Sequence, residues 1–361
     1  MSRMHQVMTN SSVTFLTTTT DSNSKRTMDL VETTTKVERS EIASSFLGLL
    51  NKFFGAYLML VVIIFGLVGN MFSIIIFVRQ RRRNTAASVY LVSLAVSDTG
   101  NLVMSFQTWL HNGLFYVTNG DINIASGATD IGCQLRIFVW NCFVFMSGYI
   151  IIAYSIERCV AVWYPLKVAS LFTSRRRNII LVILLLISFT FYCPAFLTYV
   201  SSTIQIQGIT RRLCSKEQGI LPTWILEAFT VWLFNTNMVA PVCIVFIINT
   251  LIVAGVFRAS NNMHFVKDSK TEILQRKLVK NLFIISLIYF LSMAPYVIFR
   301  WVDLITGAPV YLLEWSTAIS NFIVFNYAVN FIIYLCTLKY FRDDVRYLFC
   351  GRILDDEERG T

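Results

Sequence analysis

Long stretches without a single charged residue decide what this chain can fold into. Residues 53–78, 137–156, 178–210, 228–257, 281–299 and 315–338 contain no Asp, Glu, Lys or Arg, and 84–120 is broken only by Asp98. A helix needs about 20 mostly apolar residues to cross the hydrocarbon of a bilayer, so these blocks are seven candidate spans. The longest also contain loop, because they exceed one crossing. Composition points the same way: 14% of the 361 residues are charged, against roughly 25% in soluble domains. With 29 Phe, 15 Tyr and 7 Trp among them, the apolar residues could not all be hidden in water-soluble cores. The expected fold class is an all-α membrane protein, a seven-transmembrane helix bundle.

Lys and Arg set the orientation. Segments 79–83, 157–177, 258–280 and 339–361 alternate along the chain, share one side, and hold 20 of the 31 basic residues. That side is read as cytoplasmic, which leaves the N-terminus outside. The net charge of +10 is then mostly a topology signal. Split among short loops, it does not suit nucleic-acid binding. Residues 1–48 are expected to be a disordered extracellular arm, 49–338 the membrane domain, and 339–361 an amphipathic helix with a short cytoplasmic tail. The arm has no apolar stretch of the signal-peptide kind. Asn10-Ser11-Ser12 is a glycosylation sequon on the outer side. The three His (His5, His111, His264) are scattered, so no metal or catalytic triad is expected. No inverted repeat of the transporter kind is evident.

Polar landmarks recur inside the spans. Gly69-Asn70 lies in span one and Leu94-Ala95-Val96-Ser97-Asp98 in span two. Span three begins near Cys133 and ends in Glu157-Arg158-Cys159, with Pro165-Leu166 beyond. Pro194, Pro241 and Pro295 fall in spans four, five and six, and span seven ends Asn330-Phe331-Ile332-Ile333-Tyr334, with Phe341-Arg342 following. Cys133 precedes Arg158 by 25 positions. This set resembles the rhodopsin-like family of G-protein-coupled receptors over about residues 50–350, in spacing as well as residue type.

The resemblance implies roles. Asp98, with Ser147, Asn326 and Asn330, would hold an allosteric sodium ion, for which a hard cation needs several oxygen ligands; the rival reading is a satisfied polar plug. No other cofactor is expected. Glu157 would hold Arg158 at rest, and Pro295, Asn330 and Tyr334 would serve activation as span six swings outward. An edge Arg that merely snorkels is the alternative. Several positions depart from the family pattern: Cys159 for Tyr, Leu184 for Trp, Asn249 for Tyr, Met293 for Trp and Phe331 for Pro. Gln275 stands where an acid usually restrains span six, which predicts a looser resting state with measurable basal signalling. The span-seven kink must come from a source other than proline or be weaker.

Of the eight cysteines, only Cys133 and Cys214 fall at extracellular positions outside a span interior, so one disulfide is expected there. Cys142, Cys159, Cys193, Cys243 and Cys336 read as small core residues. Cys350, after a basic segment, is a palmitoylation candidate.

Ligand class is read from the outer helix ends. Amine receptors of the family carry an Asp where this chain has Trp140, and opsins carry a Lys where it has Val324; no Lys lies between 281 and 338. Trp109, Arg136, Trp140, Glu227, Met293, Arg300 and Asp303 are the candidate ligand contacts. Aromatic surface with both charge signs suits a peptide bearing Arg and aromatic side chains, as in receptors for FMRFamide-like amidated peptides. Against this, Arg300 and Asp303 are spaced to pair with each other, and the Trp residues suit an interfacial belt. The resemblance implies a plasma-membrane receptor whose partners are the peptide, a heterotrimeric G protein, membrane lipid, arrestin and receptor kinases. A small-molecule chemosensory receptor is the alternative.

Overall fold

The computed structural model describes residues 49–50, 52–78, 86–118, 129–206, 209–216, 222–262, 270–306 and 321–350. Its elements belong to one compact unit, Leu50–Thr361. Among the described residues six helices are long and apolar enough to cross a membrane, and they match spans one to six: Phe53–Val78, Ser88–His111, Asp130–Trp163, Ser174–Thr198, Trp224–Arg258 and Leu282–Val302. Span seven is helical at 321–328, turns at Val329, and continues as Asn330–Thr337; the expected start at 315–320 lies outside the described residues. A further helix, Lys339–Cys350, follows. The expected arm (1–48) and its sequon at Asn10 also lie outside them, as does basic segment 79–83.

Span three is the axis of the bundle. It touches spans two, four, five and six and the outer hairpin, and its window is the most buried of the six, while span four's is the least. Without a hydrophobic drive between helices in lipid, small residues decide how closely they approach. A Cβ on Gly66 would lie 2.6 Å from the Cβ of Ala328, and one on Gly69 2.8 Å from that of Phe331. Spans one and seven therefore meet almost backbone to backbone.

The prolines act differently from one another. The span-four α-helix ends at Tyr192, and Pro194 leads into the short turn Ala195–Thr198. Pro295 lies inside the continuous helix Lys270–Thr306. In span five the helix widens into a π-turn, Asn235–Val239, directly before Pro241. Ala240 donates its N–H to the Asn235 carbonyl. The next bond of that ladder would need the N–H that proline lacks. The Thr236 carbonyl so freed accepts instead from the Tyr149 hydroxyl at 3.3 Å.

Span seven breaks at Val329 without a proline. Phe331 packs against Gly69 and lies 6.1 Å from the Phe72 ring and 5.7 Å from Phe341.

The cysteine expectation needs correction. Cys142 is buried and Cys159 half-buried, but Cys193, Cys243 and Cys336 are exposed on the bundle's outer surface. A small apolar thiol has no reason to avoid lipid as it avoids water, so core placement does not follow from residue type here.

Residues 199–206 and 209–216 follow span four. They form an antiparallel hairpin, β1 (Tyr199–Ile206) and β2 (Ile209–Lys216), with Ser201 opposite Cys214.

Candidate functional site

At the outer end the Cys133–Cys214 disulfide joins the top of span three to β2, with the Cα atoms 5.5 Å apart. Two further ties, unforeseen from sequence, hold β1: Gln134 Nε2 donates to the Tyr199 carbonyl at 3.1 Å, and the Ser201 N–H donates to Asp130 Oδ1 at 2.8 Å. Lys216, at the end of β2, sits within electrostatic reach of Arg300 and Glu227. Burial and the Arg300 guanidinium push its ammonium pKa down, while the Glu227 carboxylate opposes them. Three of the charges clustered at the mouth thus act on one another. Lys216 is the partner that sequence spacing did not suggest.

The other candidate ligand contacts fare unevenly. Trp109 is engaged structurally: its indole N–H donates to the Ala56 carbonyl at 2.6 Å and its ring stacks on Phe106. Trp140 is 37% exposed, whereas Met293 is buried. Arg136 is half-buried, with no hydrogen-bond partner on Nε among the described residues. Trp224, at 69% exposure, fits an interfacial belt. Asp303 lies on the span-six helix, but its side chain, like residue Glu314, lies outside what is described.

Below the mouth a polar chain crosses spans three, four and five. The Tyr192 hydroxyl donates to Asn237 Oδ1, Asn237 Nδ2 to Asn141 Oδ1 at 2.8 Å, and Asn141 Nδ2 to the Ile137 carbonyl at 2.8 Å. Asn237 belongs to the π-turn, so this chain pins the widened part of span five. Asn237→Ala would leave two partners unsatisfied away from water, at about 1–3 kcal/mol each. We expect a clearly lowered melting temperature for the detergent-solubilised protein, and less loss in Asn237→Asp, which keeps the acceptor for Tyr192.

At mid-depth Asp98 is fully buried. Ser147 Oγ donates to its Oδ1 and Asn330 Nδ2 to its Oδ2, each at 2.6 Å. Two of the three expected companions are thus on the carboxylate; Asn326 is buried but gives it no hydrogen bond among the described residues. Asn70 donates to the Tyr327 carbonyl at 3.0 Å, and its Oδ1 has no partner among the described residues. Asn101, one turn beyond Asp98, is fully buried, with neither amide atom partnered among the described residues. The unsatisfied amide oxygens of Asn70 and Asn101, buried in spans one and two, are further ligands of the kind a cation and its water need. The spacing from Asp98 to Asn101 was the available signal for that residue.

At the end of span three away from the hairpin Glu157 and Arg158 are both buried and paired, Arg158 Nη2 to Glu157 Oε1 at 2.9 Å. The Arg158 guanidinium also lies over the Tyr154 ring. A third residue joins them: Arg177 Nε donates to Glu157 Oε2 at 3.0 Å. Gln275 and Cys350 lie on described helices, but their side chains are not described. Tyr334 is buried between Phe77 and Phe341, with ring centroids 5.2 and 5.6 Å away.

Comparison with known proteins gives matches over this same core. The family model described as 7 transmembrane receptor (rhodopsin family) matches residues 69–334. Cephalotocin receptor 1 of Octopus vulgaris is 25% identical over 181 residues, 50% of this chain and 42% of that protein. A Gq-coupled rhodopsin of Mizuhopecten yessoensis is 27% identical over 222 residues, 60% of this chain and 42% of the rhodopsin. A neuromedin U receptor homologue of Caenorhabditis elegans is 27% identical over 141 residues, 39% of this chain and 34% of its own length. The chain spans less than half the length of these relatives.

Proposed function

Because this chain belongs to the rhodopsin family of seven-transmembrane receptors, we propose that it binds an extracellular amidated neuropeptide and activates heterotrimeric G proteins by outward movement of span six. The observation that carries the signalling half is the buried Glu157–Arg158 pair at the inner end of the axial helix. An Arg held by a neighbouring carboxylate at rest is available to a partner once the cleft opens, and a ligand that favours the open arrangement shifts the population toward it. Resemblance to the cephalotocin and neuromedin U receptors supports the peptide half. Similarity to an opsin does not extend to retinal chemistry, since Val324 occupies the position of the Schiff-base Lys.

Trp140, Arg136, Met293, Glu227, Arg300 and Asp303 form the proposed peptide site, with Glu227 or Asp303 pairing a ligand Arg. Trp109 contributes by bracing spans one and two. Asp98, Ser147, Asn326 and Asn330 would hold a sodium ion that compensates the buried carboxylate at rest. Pro295, Asn330 and Tyr334 serve the movement of span six and its neighbours. In this reading the N-terminus is outside the plasma membrane, Asn10 carries glycan and Cys350 palmitate, and arrestin and receptor kinases meet the inner face.

The test is G-protein activation in cells challenged with a panel of amidated neuropeptides, with surface expression confirmed. We expect a saturable response that Glu227→Gln or Asp303→Asn weakens by about tenfold or more, as losing a charge-assisted pair requires. Silence across the panel, with a response to small odorants instead, would replace the peptide reading by the chemosensory one.

A further inference from the structure

The three adjacent arginines at the start of span four have different fates. Thr173 caps the helix, accepting from the Arg176 N–H, which fixes the register of the first turn. Arg175 is exposed. Arg176 turns back and donates to the Ser170 and Leu171 carbonyls at 2.8 and 3.1 Å, holding the short helix Pro165–Leu171 against the span. Arg177, one further step round the helix, is buried and reaches Glu157 on span three. The carboxylate is therefore shared: one oxygen takes Arg158, the other Arg177. All three side chains are nine-tenths or more buried.

Removing one partner from a buried ion pair is costly chiefly because the other charge is left uncompensated. In a two-residue pair, release of Arg158 would leave Glu157 in that condition. Here Glu157 keeps Arg177. We propose that Arg177 is a positioning residue for activation: it stays with Glu157 when Arg158 departs, and so lowers the cost of reaching the signalling arrangement. It also draws carboxylate charge away from Arg158 at rest, which acts in the same direction. The inference rests on the receptor reading for its functional half, but the pairing itself can be tested without ligand or G protein.

Arg158→Ala reproduces the departure of Arg158. A double-mutant cycle on the full-length receptor in lipid nanodiscs, read by thermal unfolding, then isolates the role of Arg177. We expect Arg177→Gln to lower the melting temperature further in the Arg158→Ala background than in the wild type, by on the order of 5 °C. Adding Glu157→Gln should remove that excess, and Arg177→Lys, which keeps a cation beside Glu157, should show little of it. Equal shifts in both backgrounds would reduce Arg177 to ordinary packing and overturn the proposal. In a nucleotide-exchange assay Arg177→Gln should lower wild-type activity by about tenfold yet have no effect in Glu157→Gln. An undiminished rate would overturn the proposal as well. If the wild type drives no exchange above Arg158→Ala with any G protein, the receptor reading fails while the thermal cycle still decides the pairing.

Discussion

Arg158→Ala is expected to bring G-protein activation down to the level of cells lacking the receptor, while the protein still folds and reaches the surface. The two halves of this expectation have different origins. Arg158 is buried beside one oxygen of Glu157 and over the Tyr154 ring, and its guanidinium can give a partner helix two charge-assisted bonds. At about 1.5–3 kcal/mol for each such bond, losing both corresponds to a decrease on the order of a hundredfold or more. Folding survives because Glu157 keeps Arg177 at 3.0 Å, so no buried carboxylate is stranded. Glu157→Gln should act in the opposite sense. It leaves two neighbouring guanidiniums without their anion, destabilises the resting arrangement and raises basal exchange by about tenfold. Both variants are read in one nucleotide-exchange assay normalised to surface receptor. An Arg158→Ala receptor with wild-type exchange would remove this residue from the coupling mechanism.

The membrane class was legible because lipid imposes a rule on every residue of a span. One charge breaks the pattern, so charge-free blocks count helices almost directly. Asp98 was legible for the same reason, as a lone charge in such a block; its companions came from the family resemblance, and of those Ser147 and Asn330 reach it by hydrogen bonds. Arg177 was not legible, because Arg175, Arg176 and Arg177 together look like a single topology signal. Only the cap at Thr173 determines which of them turns inward. The hairpin escaped because residues 199–210 lack charges and continue the span-four block. The span-five π-turn escaped because Pro241 announces a lost hydrogen bond without saying which carbonyl will be rescued, or by which hydroxyl. Cysteine placement failed for a physical reason, since residue-type burial rules are calibrated against water and three of these thiols are exposed on helices that lipid, not water, would surround.

Cys214→Ser is expected to damage ligand recognition far more than assembly of the helices. In a soluble protein, cutting a disulfide that closes a loop of this size, with a separation of 81 residues, would cost about 4–5 kcal/mol of folding stability by loop entropy. That estimate assumes an unfolded chain free to explore space. Spans three and four remain inserted in the bilayer even when they are not packed together, so the unfolded chain is already confined and less entropy is at stake. Within the folded state the hairpin would keep two ties to span three, Gln134 to Tyr199 and Asp130 to Ser201. Both hold β1, and without the bridge β2 keeps only its ladder to β1 among the described ties. Lys216, opposite Tyr199 in that ladder, then depends on β1 alone for its place near Arg300 and Glu227. Tying down that strand before the ligand arrives is what the bridge contributes, and restoring its order on binding costs about 1 kcal/mol or more for each residue. Three such residues amount to a loss of affinity on the order of a hundredfold. Agonist titration of surface-expressed receptor, alongside thermal unfolding in detergent, separates the two effects. A melting temperature that collapses with affinity intact would mean that the bridge serves folding and not the site.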